Sequence, residues 1–411
     1  MPHILFMNAM YRHKIKSFQT AREMGCRISV VGPDLPGWAA PFTDRFIQAE
    51  TADACALEQA VTALAAVHRE DPFDGVVTFW DHGVLPAAQV ARALRLPGDA
   101  ESAGRARNKA AMREALTRSG VPGPAFMKVS NWPQLLAAST HIGFPAIYKP
   151  TGGAGSAGVV RIDSAAELRA AFDNARTYVN PERDRFFAYY PHEFVLEEFL
   201  EGAEVSVEGV VAGGEVYVAG VTEKMVCPVS FVEVRHAHPA RISPEERDEA
   251  ERVATAAVRA LGLAECGFHA EIILTASGGK VVEVNGRLGG DFIASHLVPL
   301  ATGIDLTRVA IAAAMGRPVD LRPDRTEGAC IRFLVAQRPG TVRRWTGLEA
   351  AGRALGVVEV GVNKQVGDTV LIPPESFFDN RLCFVITQGP GTDEAVTRAE
   401  EALSLVHCLV E

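Results

Sequence analysis

Residues 267–287, GFHAEIILTASGGKVVEVNGR, decide the fold. Two runs of alternating apolar and polar residues flank Gly278-Gly279, the composition of a β-hairpin. Across that turn Glu271 and Glu283 fall on neighbouring strands, and the two-residue side-chain period puts Glu283, Asn285 and Arg287 on one face. Ile272, Val282 and Val284 make the opposite face apolar. Two carboxylates and an amide oxygen converging on one face form an all-oxygen set suited to Mg²⁺, an ion that also keeps waters and phosphate oxygens as ligands. Arg287 ends the row with a planar fork fit for an anion. The bland alternative is a solvated polar face. It is the weaker reading, because a polar row turned into a cleft is costly unless its members find partners.

Two further features lie upstream. Lys149-Pro150-Thr151-Gly152-Gly153-Ala154-Gly155-Ser156-Ala157-Gly158 is a small-residue loop whose unshielded backbone N–H groups suit anionic oxygens. Its lysine precedes the glycines and the loop runs from strand to strand, so it is not a Walker A loop, and by itself it reads equally well as a flexible hairpin tip. Residues 197–208, EEFLEGAEVSVE, join an extended segment to a hairpin that turns at Gly213-Gly214. Carboxylates beside an apolar strand can accept hydrogen bonds from an adenine amine or ribose hydroxyls, which alone is weak evidence.

Around these features the pattern is legible. Residues 1–98 alternate apolar runs (4–7, 28–31, 46–47, 76–79) with helical stretches near 14–24, 55–68 and 84–94, which predicts a parallel α/β domain. The turn after the first run, Asn8-Ala9-Met10-Tyr11, has none of the glycines a Rossmann dinucleotide site needs. Helices are expected over 104–119, 165–176 with Ser164 as cap, and 244–261, where Ser243, Pro244 and Glu246 form a capping sequence. From 311 onward helix and strand mix with less pattern.

The chain has 411 residues with 41 basic and 50 acidic side chains, a formal charge of -9. That balance argues against wrapping nucleic acid or binding an anionic membrane surface, both of which need net positive charge. Between Arg185 and Lys224 lie eight glutamates and no lysine or arginine. Seven scattered cysteines show no zinc spacing and suit a reducing cytoplasm, and no signal peptide or membrane span is expected.

In this order the motifs resemble the ATP-grasp superfamily over residues 105–310. The pieces are Lys109 in NKAAMREAL, Lys149 in IYKP, the small-residue loop, LEEFLEGAEVSVEG, and AEI followed by VEVNGR. The resemblance implies a mixed α/β and α+β chain. Its parts would be an N-terminal parallel α/β domain (1–100), an ATP-grasp fold in two subdomains (101–195 with the lid, 196–310 with the metal site), and a C-terminal α+β region (311–411). It implies ATP and two Mg²⁺ ions, with Mn²⁺ as a possible substitute, and a carboxylate joined to an amine through an acyl phosphate.

By the same resemblance Lys109 and Lys149 hold the α- and β-phosphates under a lid containing Gly152, Gly153, Gly155, Ser156 and Gly158. Glu197, Glu198, Phe199 and Leu200 face the adenine, with Glu197 and the Phe199 backbone reading it, and Glu204 faces the ribose. Glu271, Glu283 and Asn285 bind the metal, and Arg287 steadies the acyl phosphate. The stretches VTEK (221–224), FVEVRH (231–236) and RLGGD (287–291) resemble the L-amino-acid ligase group, which makes dipeptides. There Glu233 would meet the α-ammonium of the first amino acid and His236, or alternatively His238, the reacting amine. Asp291 departs from the aromatic side chain of that group and leaves specificity open. Homodimers and small-molecule carboxylate and amine partners are further implications.

Overall fold

The computed structural model describes residues 1–9, 11–182, 187–227, 231–373, 375–376 and 379–411. Strand β1 (His3–Met7) is buried along its whole length, as expected of a strand with both sheet faces covered. It pairs in parallel with β2 (Arg27–Gly32) and β4 (Gly75–Val77), and β3 (Arg45–Gln48) extends the sheet beyond β2. Helix Ile15–Glu23 connects β1 to β2, helix Ala54–Glu70 connects β3 to β4, and helix Asp81–Leu94 follows β4. After β1 the chain turns through Asn8 at φ 65°, a left-handed conformation that asparagine tolerates. Met10, in the turn expected from the sequence, lies outside the described residues.

Strands β5 (Phe126–Val129), β6 (Ala146–Pro150), β7 (Val160–Ile162) and β8 (Phe194–Glu198) form an antiparallel sheet in the order β5-β8-β6-β7. The small-residue loop joins β6 to its partner β7, as the sequence predicts. The helix expected over 104–119 is instead two helices, Ala100–Arg107 and Lys109–Arg118, broken at Asn108. Asn108 takes non-helical angles, and its side-chain oxygen accepts from the Ala111 N–H at 3.0 Å, which starts a new helix with Lys109 at its first position. Ser164 makes no cap; its hydroxyl donates to Glu167, and a 3-10 turn precedes the helix Leu168–Tyr178.

The third sheet is built from β9 (Ala203–Ala212), β10 (Glu215–Val226), β11 (Glu233–His238), β12 (Cys266–Thr275), β13 (Gly278–Asn285) and β14 (Gly328–Val335). Next in the chain come β15 (Gly340–Thr346), β16 (Val357–Val362), β17 (Thr369–Val370), β18 (Arg381–Gly389) and β19 (His407–Val410). The large sheet runs β13-β12-β9-β10-β11-β14-β18-β16, while β15, β17 and β19 form a small one. Strands beyond residue 311 therefore continue the central sheet through the β11–β14 pair. Helix Pro244–Leu261, with the expected Ser243–Glu246 capping box, buries Val253, Ala257 and Val258 against this sheet.

The β12–β13 hairpin corrects one detail. Its turn is Ala276-Ser277, with Gly278 and Gly279 opening β13. The register passes from Glu271↔Glu283 to Ile272↔Val281, leaving Val282 as an extra residue on β13. This bulge sends both Val281 and Val284 into the core and turns Val282, expected on the apolar face, into the cleft beside Glu283.

A core shared by β1, β2, the helix Leu306–Ala314, β14 and β18 locks the N-terminal sheet onto the central one. Among the described residues no two cysteines form a disulfide. Among the described residues no single helix is long and apolar enough to cross a membrane.

Candidate active site

The three sheets surround a cleft of about 600 Å³. At one end, Lys149 on β6 and Lys109 at its helix start are 4% and 5% exposed. Burying an ammonium requires a counter-charge. Lys149 finds Glu197 at 2.7 Å, and Lys109 finds Glu283 at 3.0 Å. Lys109 also donates to the Gly153 carbonyl at 2.8 Å, and Arg107 to that of Gly152 at 2.8 Å. The lid is thus tethered by two cations at its base.

Within the lid, Gly158 has φ +77°, and a Cβ there would lie 2.7 Å from Val179; a Cβ on Gly153 would meet Pro150 at 2.9 Å. These glycines permit close packing of the loop onto its own sheet. At the tip, Gly155 and Ser156 also take positive φ, and the Ser156 hydroxyl donates across the cleft to the Phe231 carbonyl at 3.0 Å.

The acidic segment does not simply flank adenine, as the sequence suggests. Glu197 is 3% exposed and grips Arg113, through bonds of 2.8 and 3.1 Å, together with Lys149. Burial pushes the Glu197 carboxyl up, but Arg113 and Lys149 outweigh it and hold it at about 2. Its charge is committed to a buried ion cluster. Nor is the Phe199 N–H open to a base, since it donates to the Pro145 carbonyl at 3.3 Å. Glu198, Phe199 and Leu200 do line the cleft, with the Arg161 guanidinium 4.2 Å from the Phe199 ring.

Glu271 and Glu283 sit side by side on β12 and β13, and the Asn285 amide donates to Glu283 at 3.2 Å. The Asn285 Oδ1 is buried with no hydrogen-bond partner among the described residues. An orphaned oxygen beside two carboxylates is the donor set a hard cation takes, and the residues fit Mg²⁺. Among the described residues no group of three or more His, Cys, Asp or Glu forms a metal site. A magnesium site completed by phosphate oxygens needs no such cage.

Glu271 is also 2.7 Å from Lys224, which lies 2.6 Å from Glu204 and 3.7 Å from Glu233. Burial disfavours the Lys224 ammonium, but these carboxylates hold it well above the usual lysine range. His269 bridges Glu208 at 2.7 Å and Glu271 at 3.3 Å. Burial opposes its charge, and Glu208 more than restores it, to about 9.

The far end of the cleft combines charges of both signs. Arg287 is held by Asp81 at 2.8 Å, from the helix that follows β4. Arg381, at the start of β18, reaches Glu233 at 2.6 Å and Asp291 at 2.7 Å, and Asp291 meets His236 at 3.2 Å. Burial raises the Asp291 carboxyl, but Arg381 and His236 bring it far below the carboxylate range. His236 Nδ1 has no partner among the described residues. His238 does not line the cleft; it is buried against Thr222 at 3.0 Å, and desolvation lowers it to about 4.

Lys224, His269, Arg113, Asp81 and Arg381 escaped the sequence reading. Lys224 stands in a quoted motif and Arg113 one helical turn after Lys109, but nothing local marks Asp81 or Arg381.

Residues 142–295 match the family model of the ATP-grasp domain, and 18–98 that of the ATP-grasp N-terminal domain. The chain thus carries an ATP-grasp domain with its N-terminal companion. Residues 332–411 match the L-amino acid ligase C-terminal domain 2. Over the whole length, this ATP-grasp chain superposes on an L-amino acid ligase from Bacillus licheniformis with TM-score 0.84 and 24% identity, covering 100% of this chain and 99% of that one.

It is 24% identical to an L-arginine-specific L-amino acid ligase of Bacillus subtilis, over 92% of this chain and 91% of that protein. It is also 24% identical to Homo sapiens carnosine synthase 1 over 93% of this chain, and spans 48% of that longer protein.

Proposed function

We propose that the chain is an ATP-dependent ligase joining the carboxylate of one amino acid to the amine of another through an acyl phosphate, with release of ADP and phosphate. The observation that carries this reading is the far end of the cleft, where Glu233, Asp291, Arg287 and Arg381 present both signs of charge within one cluster. A bicarbonate site needs cations; a zwitterion needs both.

The roles follow from position. Two anions repel, so a carboxylate approaches a triphosphate only where fixed positive charge is already present. Lys109 and Lys149 supply it at the lid end, with Glu197 and Arg113 holding Lys149 in place. The α- and β-phosphates lie against these lysines, and the lid covers the triphosphate. Glu271, Glu283 and Asn285 would hold Mg²⁺, which would supply electrostatic stabilisation of the phosphoryl oxygens.

Arg287, fixed by Asp81, faces the acyl phosphate and the tetrahedral carbon formed on amine attack. Glu233 accepts the α-ammonium of the first amino acid. His236, with Nδ1 open, orients the second amine or takes its proton. The Ser156–Phe231 contact closes the lid against water while the acyl phosphate waits.

Screening amino-acid pairs for phosphate release with ATP and Mg²⁺ tests this proposal. Release that depends on two amino acids supports it; release that depends on bicarbonate, or that requires a biotin acceptor, points to a carboxylase instead.

A further inference from the structure

Lys14 ends the short 3-10 turn Arg12–Lys14 after β1 and lines the cleft with Tyr11, His13 and Trp80. Its Nζ lies 5.1 Å from the centre of the Trp80 ring, and among the described residues it makes no side-chain hydrogen bond and no ion pair. The anions around it are already taken. Asp81 is shared by Arg287 at 2.8 Å and Arg107 at 3.6 Å, Asp291 by Arg381 and His236, and Glu233 by Arg381 and Lys224. Desolvation, with Arg287 adding to it, pulls the Lys14 ammonium down to about 8, so it remains mostly charged at neutral pH.

We propose that Lys14 docks a free carboxylate of the amine-donating substrate. The inference rests on the ligase reading. A donor's α-carboxylate is consumed by phosphorylation at the Lys109–Glu283 end, whereas an amino acid supplying the amine keeps its own carboxylate and must place it against a cation. Arg287 is held by Asp81, and Lys14 is the remaining charge. The rings of Trp80, Tyr11 and His13 pack on one another and form one wall of the cleft beside the Lys14 ammonium. The carboxylate is either the α-group or one on the side chain.

The test is steady-state phosphate release by the wild type, Lys14→Met and Lys14→Arg. The acceptors are the amino acids that the wild type uses, the carboxamide of the best one, and aspartate against asparagine. Lys14→Met is expected to raise the acceptor KM about tenfold or more, with the KM values for ATP and donor unchanged, while Lys14→Arg retains most of the affinity. The carboxamide should be a poor acceptor whose use ignores the substitution. An effect on aspartate alone assigns the contact to a side-chain carboxylate.

An acceptor KM in Lys14→Met that is unchanged for every acceptor, aspartate included, or an equal rise for donor or ATP, overturns the proposal and leaves the ligase reading standing; a carboxamide used as well as the acid rejects the α-carboxylate and leaves only the side-chain contact, which the aspartate series then decides. Wild type that releases no phosphate with any pair removes both.

Discussion

At the residue scale the site is a set of buried charges which, Lys14 apart, are held by partners from other elements. Glu197 shows the consequence. Removing one member of a buried ion cluster strands the rest, so Glu197→Gln should lose about 3–5 kcal/mol of stability in urea denaturation. The pH dependence has a definite sign. The carboxyl titrates near the usual 4.5 when unfolded and near 2 when folded, so its contribution is present in full above about pH 4.5 and is lost as pH falls toward 2. Across that window the stability of the wild type should fall more steeply than that of Glu197→Gln; parallel slopes would show that the carboxylate is not held by Arg113 and Lys149.

The proposed function makes Glu283 part of the chemistry. Glu283→Gln keeps the shape of the side chain and should cut ADP release at least about 100-fold with its far-ultraviolet circular dichroism unchanged. Full activity in that variant would remove Glu283 from the metal row.

At the element scale the lid and the β12–β13 hairpin set the geometry. Ser156→Ala deletes the hydroxyl that reaches the Phe231 carbonyl. Its expected signature is uncoupling, measured as a higher ratio of phosphate released to ligated product, because a looser lid admits water to the acyl phosphate. Gly153→Val places side-chain atoms where a Cβ already meets Pro150 at 2.9 Å and should raise the KM for ATP; unchanged ATP saturation and turnover would contradict the role of the lid.

The elements also show what was legible in the sequence. The strands around the lid and the period-two row of Glu283 and Asn285 could be read directly, because local alternation encodes them. The split at Asn108 was hidden: both halves have helical patterns, and only the cap distinguishes a break from a continuation. The bulge at Val282 was equally hidden, since register depends on the partner strand β12 and not on β13 alone.

At the scale of the whole molecule, the cleft is assembled from all parts of the chain. Asp81 and Lys14 come from the N-terminal sheet domain, Lys149 and the lid from the second sheet, Glu271 and Glu283 from the third, and Arg381 from its C-terminal extension. That explains which site residues the sequence revealed. Lys109, Lys149, Glu271 and Glu283, carried by contiguous motifs, stood out, whereas Arg381, an isolated arginine before an apolar strand, gains its meaning only when β18 joins the sheet beside β14. The charge of -9 is organised in the same way. Of the eight glutamates between 185 and 224, Glu197, Glu204 and Glu208 serve as counter-ions to buried Lys149, Lys224 and His269, so the acidic segment neutralises the cations of the cleft.

The central claim is that one carboxylate oxygen leaves on phosphate as an amide forms. Mass spectrometry of products made from a donor amino acid labelled with ¹⁸O in its carboxylate tests this most directly. The expected result is a condensed product that retains one label, with the other in inorganic phosphate. Label in AMP, or no condensed product from any pair that supports phosphate release, would contradict it.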